Sequence, residues 1–136
     1  MKNASVIALS VLFFVAGILH FTHGTQLASI TPLPYALPVV WLTGVMEFVF
    51  VVFLLQPRFR RCTGILLSLF CLAVLPANIN MALNDLPMFG SQLEPFWAWF
   101  RVAMQFPLIL WILWATGFWR TAQAPASQTA PGTVTN

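Results

Sequence analysis

The residues with chemical capacity are few, and apolar side chains surround them. His20, Glu47, Asn78, Arg101 and Gln105, with His23 and Asn80 close by in sequence, are each embedded in a long apolar run. An imidazole, an acid, a guanidinium and two amides can between them share a proton and hold a polar head group through donors and acceptors of several kinds. They form no conventional nucleophile system, because no Ser or Cys stands in a strained elbow or a recognisable dyad. His20 and His23 share a helix face, which permits a metal reading with Glu47, Asp85 or Glu94 as further ligands. That spacing serves interfacial hydrogen bonding equally well, and no metal is expected. Cys62 and Cys71 fit neither a redox C-x-x-C pair nor a zinc-ligand spacing, and on one straight helix they stand ~13 Å apart. Both read as buried apolar thiols, which removes the paired-cysteine chemistry of a membrane thiol oxidase.

The elements that must position these groups follow from composition. Of 136 residues, 60% are hydrophobic and 7% charged, too little polar surface to cover a water-soluble fold of this size. The net charge of +3 is small and its carriers are scattered, so no nucleic-acid footprint exists. Four stretches reach the roughly 20 apolar residues that a bilayer core requires: Ala4 to His23, Ala36 to Gln56, Cys62 to Leu83 and Phe96 to Trp119. Pro- and Gly-containing breaks separate them, at Thr31 to Pro34, Pro57 to Arg61, and Asn84 to Pro95. The first stretch follows Lys2 as a signal peptide would, but lacks a convincing cleavage site and is expected to stay as a membrane helix. The expectation is an all-α, integral-membrane four-helix bundle over residues 1–120, followed by a disordered cytoplasmic tail over 121–136 that is rich in Ala, Pro, Ser, Thr and Gln. Lys2, Arg58, Arg60, Arg61 and Arg120 fall on one side of such a bundle, and Asp85 and Glu94 on the other, so both termini are expected in the cytoplasm.

Counting inward from the outer end of each span places His20 ~5 Å deep, Asn78 and Arg101 ~8 Å, Gln105 ~14 Å and Glu47 ~17 Å. Four helices thus contribute polar groups to one half of the bundle. A charged residue near the bilayer centre costs about 2.5 to 3.5 kcal/mol on insertion scales, and the Leu, Val and Phe residues around Glu47 offset it by roughly 4 to 8 kcal/mol. Glu47 still requires either a proton or a cationic neighbour. Arg101, the one basic residue well inside a span, is the expected partner, directly or through water, with Gln105 one turn below as a relay. Pro76 and Pro107 each remove a helical hydrogen bond next to Asn78 and Gln105 and favour a pocket there. If a ligand fills that pocket, Asn78→Leu and Gln105→Leu abolish its retention and spare stability. The alternative is that the polar set only fastens helices, at about 0.6 kcal/mol per group. Gly17, Gly44 and Gly64, on three different spans, read as points of close helix approach.

Four segments carry a family likeness. Phe14-Val15-Ala16-Gly17-Ile18-Leu19-His20-Phe21, the Thr43-Gly44-Val45-Met46-Glu47 step, Leu75-Pro76-Ala77-Asn78-Ile79-Asn80-Met81-Ala82, and Arg101 with Gln105 resemble the signature blocks of the DoxX family of small bacterial membrane proteins, over about residues 4 to 119. His20, Glu47, Asn78, Arg101 and Gln105 match that family's motif positions, whereas His23 and the cysteines do not. The resemblance implies a four-helix membrane bundle in the bacterial cytoplasmic (inner) membrane, in a family tied to a terminal quinol oxidase and to thiosulfate:quinone oxidoreductase. The expected role is an accessory subunit of a quinone-linked redox system, with no catalytic residue assigned. Its expected partners are the lipid bilayer, a quinone or another small polar-headed ligand, and a redox complex or a second copy of the chain. A non-catalytic scaffold or assembly factor is the alternative. A carrier fits less well, since four spans without a repeat leave little room for alternating access.

Overall fold

The computed structural model describes residues 2–87 and 94–119. Five helices follow in order: α1 (Lys2–Thr22), α2 (Gly24–Ile30), α3 (Ala36–Leu55), α4 (Arg60–Leu83) and α5 (Pro95–Thr116). No strand occurs among the described residues. The four long helices have 21, 20, 24 and 22 residues, or about 30 to 36 Å each, and all four are long and apolar enough to cross a membrane. Their outward faces expose large apolar side chains such as Ile7, Leu42, Val52, Leu69 and Leu110, as a lipid environment demands. The expected all-α four-span bundle is thus the fold observed. The tail over 121–136 lies outside the described residues. Of the two cysteines expected to be buried, Cys71 is, whereas Cys62 in the first turn of α4 is exposed.

One element was not legible as a separate helix. The chain breaks at His23, whose amide still bonds to the Leu19 carbonyl at 2.9 Å, and continues as the short α2. Gly24 makes the close approach possible, because a Cβ there would meet Trp41 Nε1 on α3 at 2.9 Å. α2 therefore folds down onto α3, and its last carbonyl, Ile30 O, accepts a 2.7 Å hydrogen bond from Asn80 Nδ2 of α4. At the other end of the bundle α5 stops at Gly117, whose φ of 78° is costly for any residue with a Cβ and lets its amide and that of Phe118 cap the final carbonyls.

The helices assemble as two tightly packed units. α1 lies along α3 with α2 across one end, and α4 lies along α5; contacts between α3 and α4, and between α1 and α5, are sparser. The apolar core is divided as well. One cluster joins Val6, Leu9, Phe13, Leu54, Leu67 and Ile112 at the end where α1 begins. A second joins Leu27, Ile30, Val40, Met81, Ala98 and Val102 at the end where α2 sits. His20, Glu47, Asn78 and Gln105 fall between the two clusters in the register of their helices, and Arg101 stands beside Val102 of the second. Buried Ser10, Ser68 and Thr116 do not belong to that set, since each hydroxyl donates to the carbonyl four residues earlier on its own helix, at 2.8 to 2.9 Å.

Candidate functional site

The site is built on two glycines. Gly44 of α3 touches α1 so closely that a Cβ would lie 2.8 Å from His20 Cβ and 3.3 Å from Gly17 O. His20 stands one turn beyond Gly17, and Glu47 one turn beyond Gly44, so the helix crossing that the glycines permit sets the imidazole against the carboxyl group. His20 Nδ1 is 3.0 Å from Glu47 Oε2 and 2.8 Å from its own helix's Ala16 carbonyl. A carbonyl can only accept, so the contact with Ala16 puts a proton on Nδ1. That hydrogen bond leaves Glu47 Oε2 within ion-pair range of the imidazole but with no hydrogen bond of its own, although Glu47 is only 4% exposed. An unsatisfied buried acceptor of this kind is rare in native proteins and calls for an explanation.

This pairing corrects the expected one. The ion-pair contact made by Glu47 is with His20 rather than Arg101. The long reach invoked for an arginine on α5 is unnecessary when a base already stands across the α1–α3 crossing. Gln105 makes two bonds of its own to α4. Its Oε1 accepts from Asn78 Nδ2 at 2.7 Å, and its Nε2 donates to the Cys71 carbonyl, so one buried amide ties α5 to α4 twice. Cys71 lies one residue before Leu72, whose carbonyl has no α-helical donor because Pro76 lacks an N–H, and Pro76 stands inside an uninterrupted α4. A side chain thus supplies hydrogen bonding at the stretch of helix that the proline weakens.

Between the two helix pairs is a cavity of about 870 Å³. Its polar lining includes His20 of α1, Thr43 and Glu47 of α3, Asn78 of α4 and Arg101 of α5. Four of the five expected site residues therefore share one cavity, and Gln105 stands behind Asn78 without lining it. The remaining walls are apolar, from Val40 and Phe50 on α3 to Leu66, Leu69 and Val74 on α4. Leu66, Leu69 and Met46 line the cavity and are also exposed on the outer surface, so it opens sideways through the α3–α4 seam toward lipid. Leu27, Ile30 and Thr31 to Leu33 line its end at α2. His23 contacts the Thr22 hydroxyl at 2.9 Å and does not line the cavity. Sequence reasoning overlooked Thr43 as a lining residue and gave Asn80 no task. Their polarity was the available signal, but nothing in the spacing told which helix each would face.

Fold and cavity together define a small multi-pass helical membrane protein with a largely apolar chamber that carries a few polar side chains. The chain belongs to a family described as a domain of unknown function (DUF8561), whose model matches residues 9–116. No curated protein and no solved structure matches it.

Proposed function

We propose that the protein is a membrane-embedded binding subunit for an apolar molecule with a small polar head, and that a quinone is the ligand class its chemistry fits best. One observation carries the reading: a buried, unsatisfied carboxyl oxygen faces an imidazole in an otherwise apolar cavity that also receives an arginine and an amide. A volume of about 870 Å³ suits a ring with the first part of an isoprenoid tail. A quinone carbonyl accepts from Arg101, and a quinol hydroxyl donates to Glu47 Oε2, so both redox forms find partners. The tail leaves through the α3–α4 seam past Leu66 and Leu69. With the DoxX-like segments, this supports an accessory role in a quinone-linked redox system of the bacterial cytoplasmic membrane, with both termini in the cytoplasm.

The test is extraction of the purified protein with organic solvent and mass spectrometry of the extract. Stoichiometric quinone in the parent protein, lost in Arg101→Gln and Glu47→Leu, is the expected result. Quinone no higher than in an unrelated four-span protein prepared the same way would end the proposal. A second reading has an observation of its own. The Asn78–Gln105, Gln105–Cys71 and Asn80–Ile30 bonds only join helices, which is what a scaffold or assembly module needs. That reading takes over if no small molecule co-purifies and every polar substitution lowers stability alone.

A further inference from the structure

A second cleft, of about 790 Å³, lies at the end of the bundle where α1 and α4 begin and α5 finishes. Lys2, Asn3, Pro57, Arg60, Arg61 and Thr116 are among its lining residues. Three of these are cationic, and no side-chain carboxylate of the chain is near enough to balance them. Asp85 and Glu94 stand beyond the opposite ends of α4 and α5, more than 30 Å away along helices of 24 and 22 residues at ~1.5 Å per residue. Glu47 is inside α3 and faces His20. The cations also stand at the wrong end of their helices. Lys2 opens α1 and Arg60 with Arg61 opens α4, neither first turn contains an acid, and Phe59 gives α4 no side-chain cap. Positive side chains at the positive end of a helix dipole are unfavourable unless an anion joins them.

The three cations differ in how far they are committed. Arg60 is a structural tie, its Nε donating to Leu54 O at 3.1 Å and its Nη1 to Asn3 Oδ1 at 2.9 Å. Lys2 Nζ lies 5.5 Å above the Trp114 ring. Arg61 is exposed and has no hydrogen bond or ion pair among the described residues. Exposed Trp114, Trp119 and Leu55 lie at this same end of the bundle, an arrangement suited to the headgroup level of a bilayer. We propose that this cleft binds the phosphate of an anionic phospholipid, with Arg61 and Lys2 as its direct partners and Arg60 holding the floor in place. A guanidinium matches two phosphate oxygens at once, and an anionic lipid is the phosphate source concentrated at this depth.

The experiment is thermal unfolding of the full chain in a neutral detergent, titrated separately with phosphatidylglycerol, phosphatidylcholine and inorganic phosphate. Phosphatidylglycerol is expected to raise the midpoint saturably and in a salt-sensitive way, whereas phosphatidylcholine and inorganic phosphate leave it unchanged. Arg61→Gln and Lys2→Gln are each expected to weaken the apparent affinity about fivefold, and Arg61→Gln to do so with the midpoint in the absence of lipid unaltered. Equal shifts with the two lipids, or variants that bind phosphatidylglycerol as the parent does, would overturn the site. A shift with inorganic phosphate matching that with phosphatidylglycerol would show a free-anion site and overturn the lipid assignment.

Discussion

Replacing His20 and Glu47 singly and together tests whether the site is one unit. At 3.0 Å and an effective dielectric constant of about 20, a full ion pair has a Coulomb attraction of about 5.5 kcal/mol, set against several kcal/mol for desolvating each ion. The pair as a whole therefore comes near to break-even, and the informative quantity is the cost of removing one partner. For a buried ion pair that cost is about 3 to 5 kcal/mol, and for a neutral interhelical hydrogen bond in a membrane about 0.6 to 1.7 kcal/mol. His20→Leu is expected to be the worse single change, because it leaves a carboxyl group only 4% exposed with no neighbour for Oε2, whereas Glu47→Leu leaves the imidazole its bond to Ala16. The double variant is expected to lose about 1 to 3 kcal/mol less than the two singles together. Unfolding in mixed micelles, followed by helical circular dichroism, measures all four corners of the cycle. Additivity within about 0.5 kcal/mol would show that the two residues do not interact. A larger coupling between Glu47 and Arg101 than between Glu47 and His20 would restore the partner suggested by sequence and refute the geometry.

Gln105→Leu breaks two bonds between α4 and α5 and is expected to cost about 1 to 3 kcal/mol while leaving ligand retention intact, since Gln105 does not line the cavity; micelle unfolding and extract mass spectrometry on one preparation decide it. Gly44→Ala is expected to lose about 1 to 3 kcal/mol and the ligand as well, because its Cβ pushes against His20 Cβ. Gly64→Ala collides with Thr116 on α5, and Thr116→Gly in the same chain is expected to recover most of the loss, which a melting comparison of the three variants reads directly. For orientation, a cysteine at Gln26, with Cys62 and Cys71 replaced, is expected to react with an impermeant thiol reagent in intact cells; protection there with labelling of a cysteine in the tail would reverse the proposed topology.

Span number and extent were legible because lipid imposes a length and a composition that any sequence must display. The end of α1 is the exception: the apolar run reads through His23, and only the contact of Gly24 with Trp41 shows why the chain bends there. Which polar residues share one half of the bundle was legible from depth alone. Which of them touch was not, because depth is a coordinate along the helix and says nothing of rotation about it. Arg101 and Glu47 were matched by charge, yet rotation gave Glu47 to His20. Gly17 and Gly44 held the missing information, each one turn from its functional neighbour and each already marked as a point of close approach. Treating such glycines as the contact line between two helices, and asking what stands one turn further, would have paired α1 with α3 correctly.

Residues that build the cavity differ from a residue kept for a ligand in how their hydrogen bonds are filled. A chamber between helices persists only if something other than packing across it holds the walls apart at a fixed distance. Here the α4–α5 wall is stitched by Asn78, Gln105 and the Cys71 carbonyl, and the end of α2 is held to α4 by Asn80. Those amides are largely satisfied by protein. Glu47 Oε2 is not, and at the α1–α3 crossing that positions it the glycines and Phe48 ring contacts pack the two helices together. Groups that fasten have their hydrogen bonds filled within the fold, whereas a group reserved for a ligand must keep one open. By that criterion Gln105 and Asn80 belong to the frame, Glu47 is the residue the proposed ligand would use, and Asn78 combines a bond to Gln105 with a place in the cavity wall.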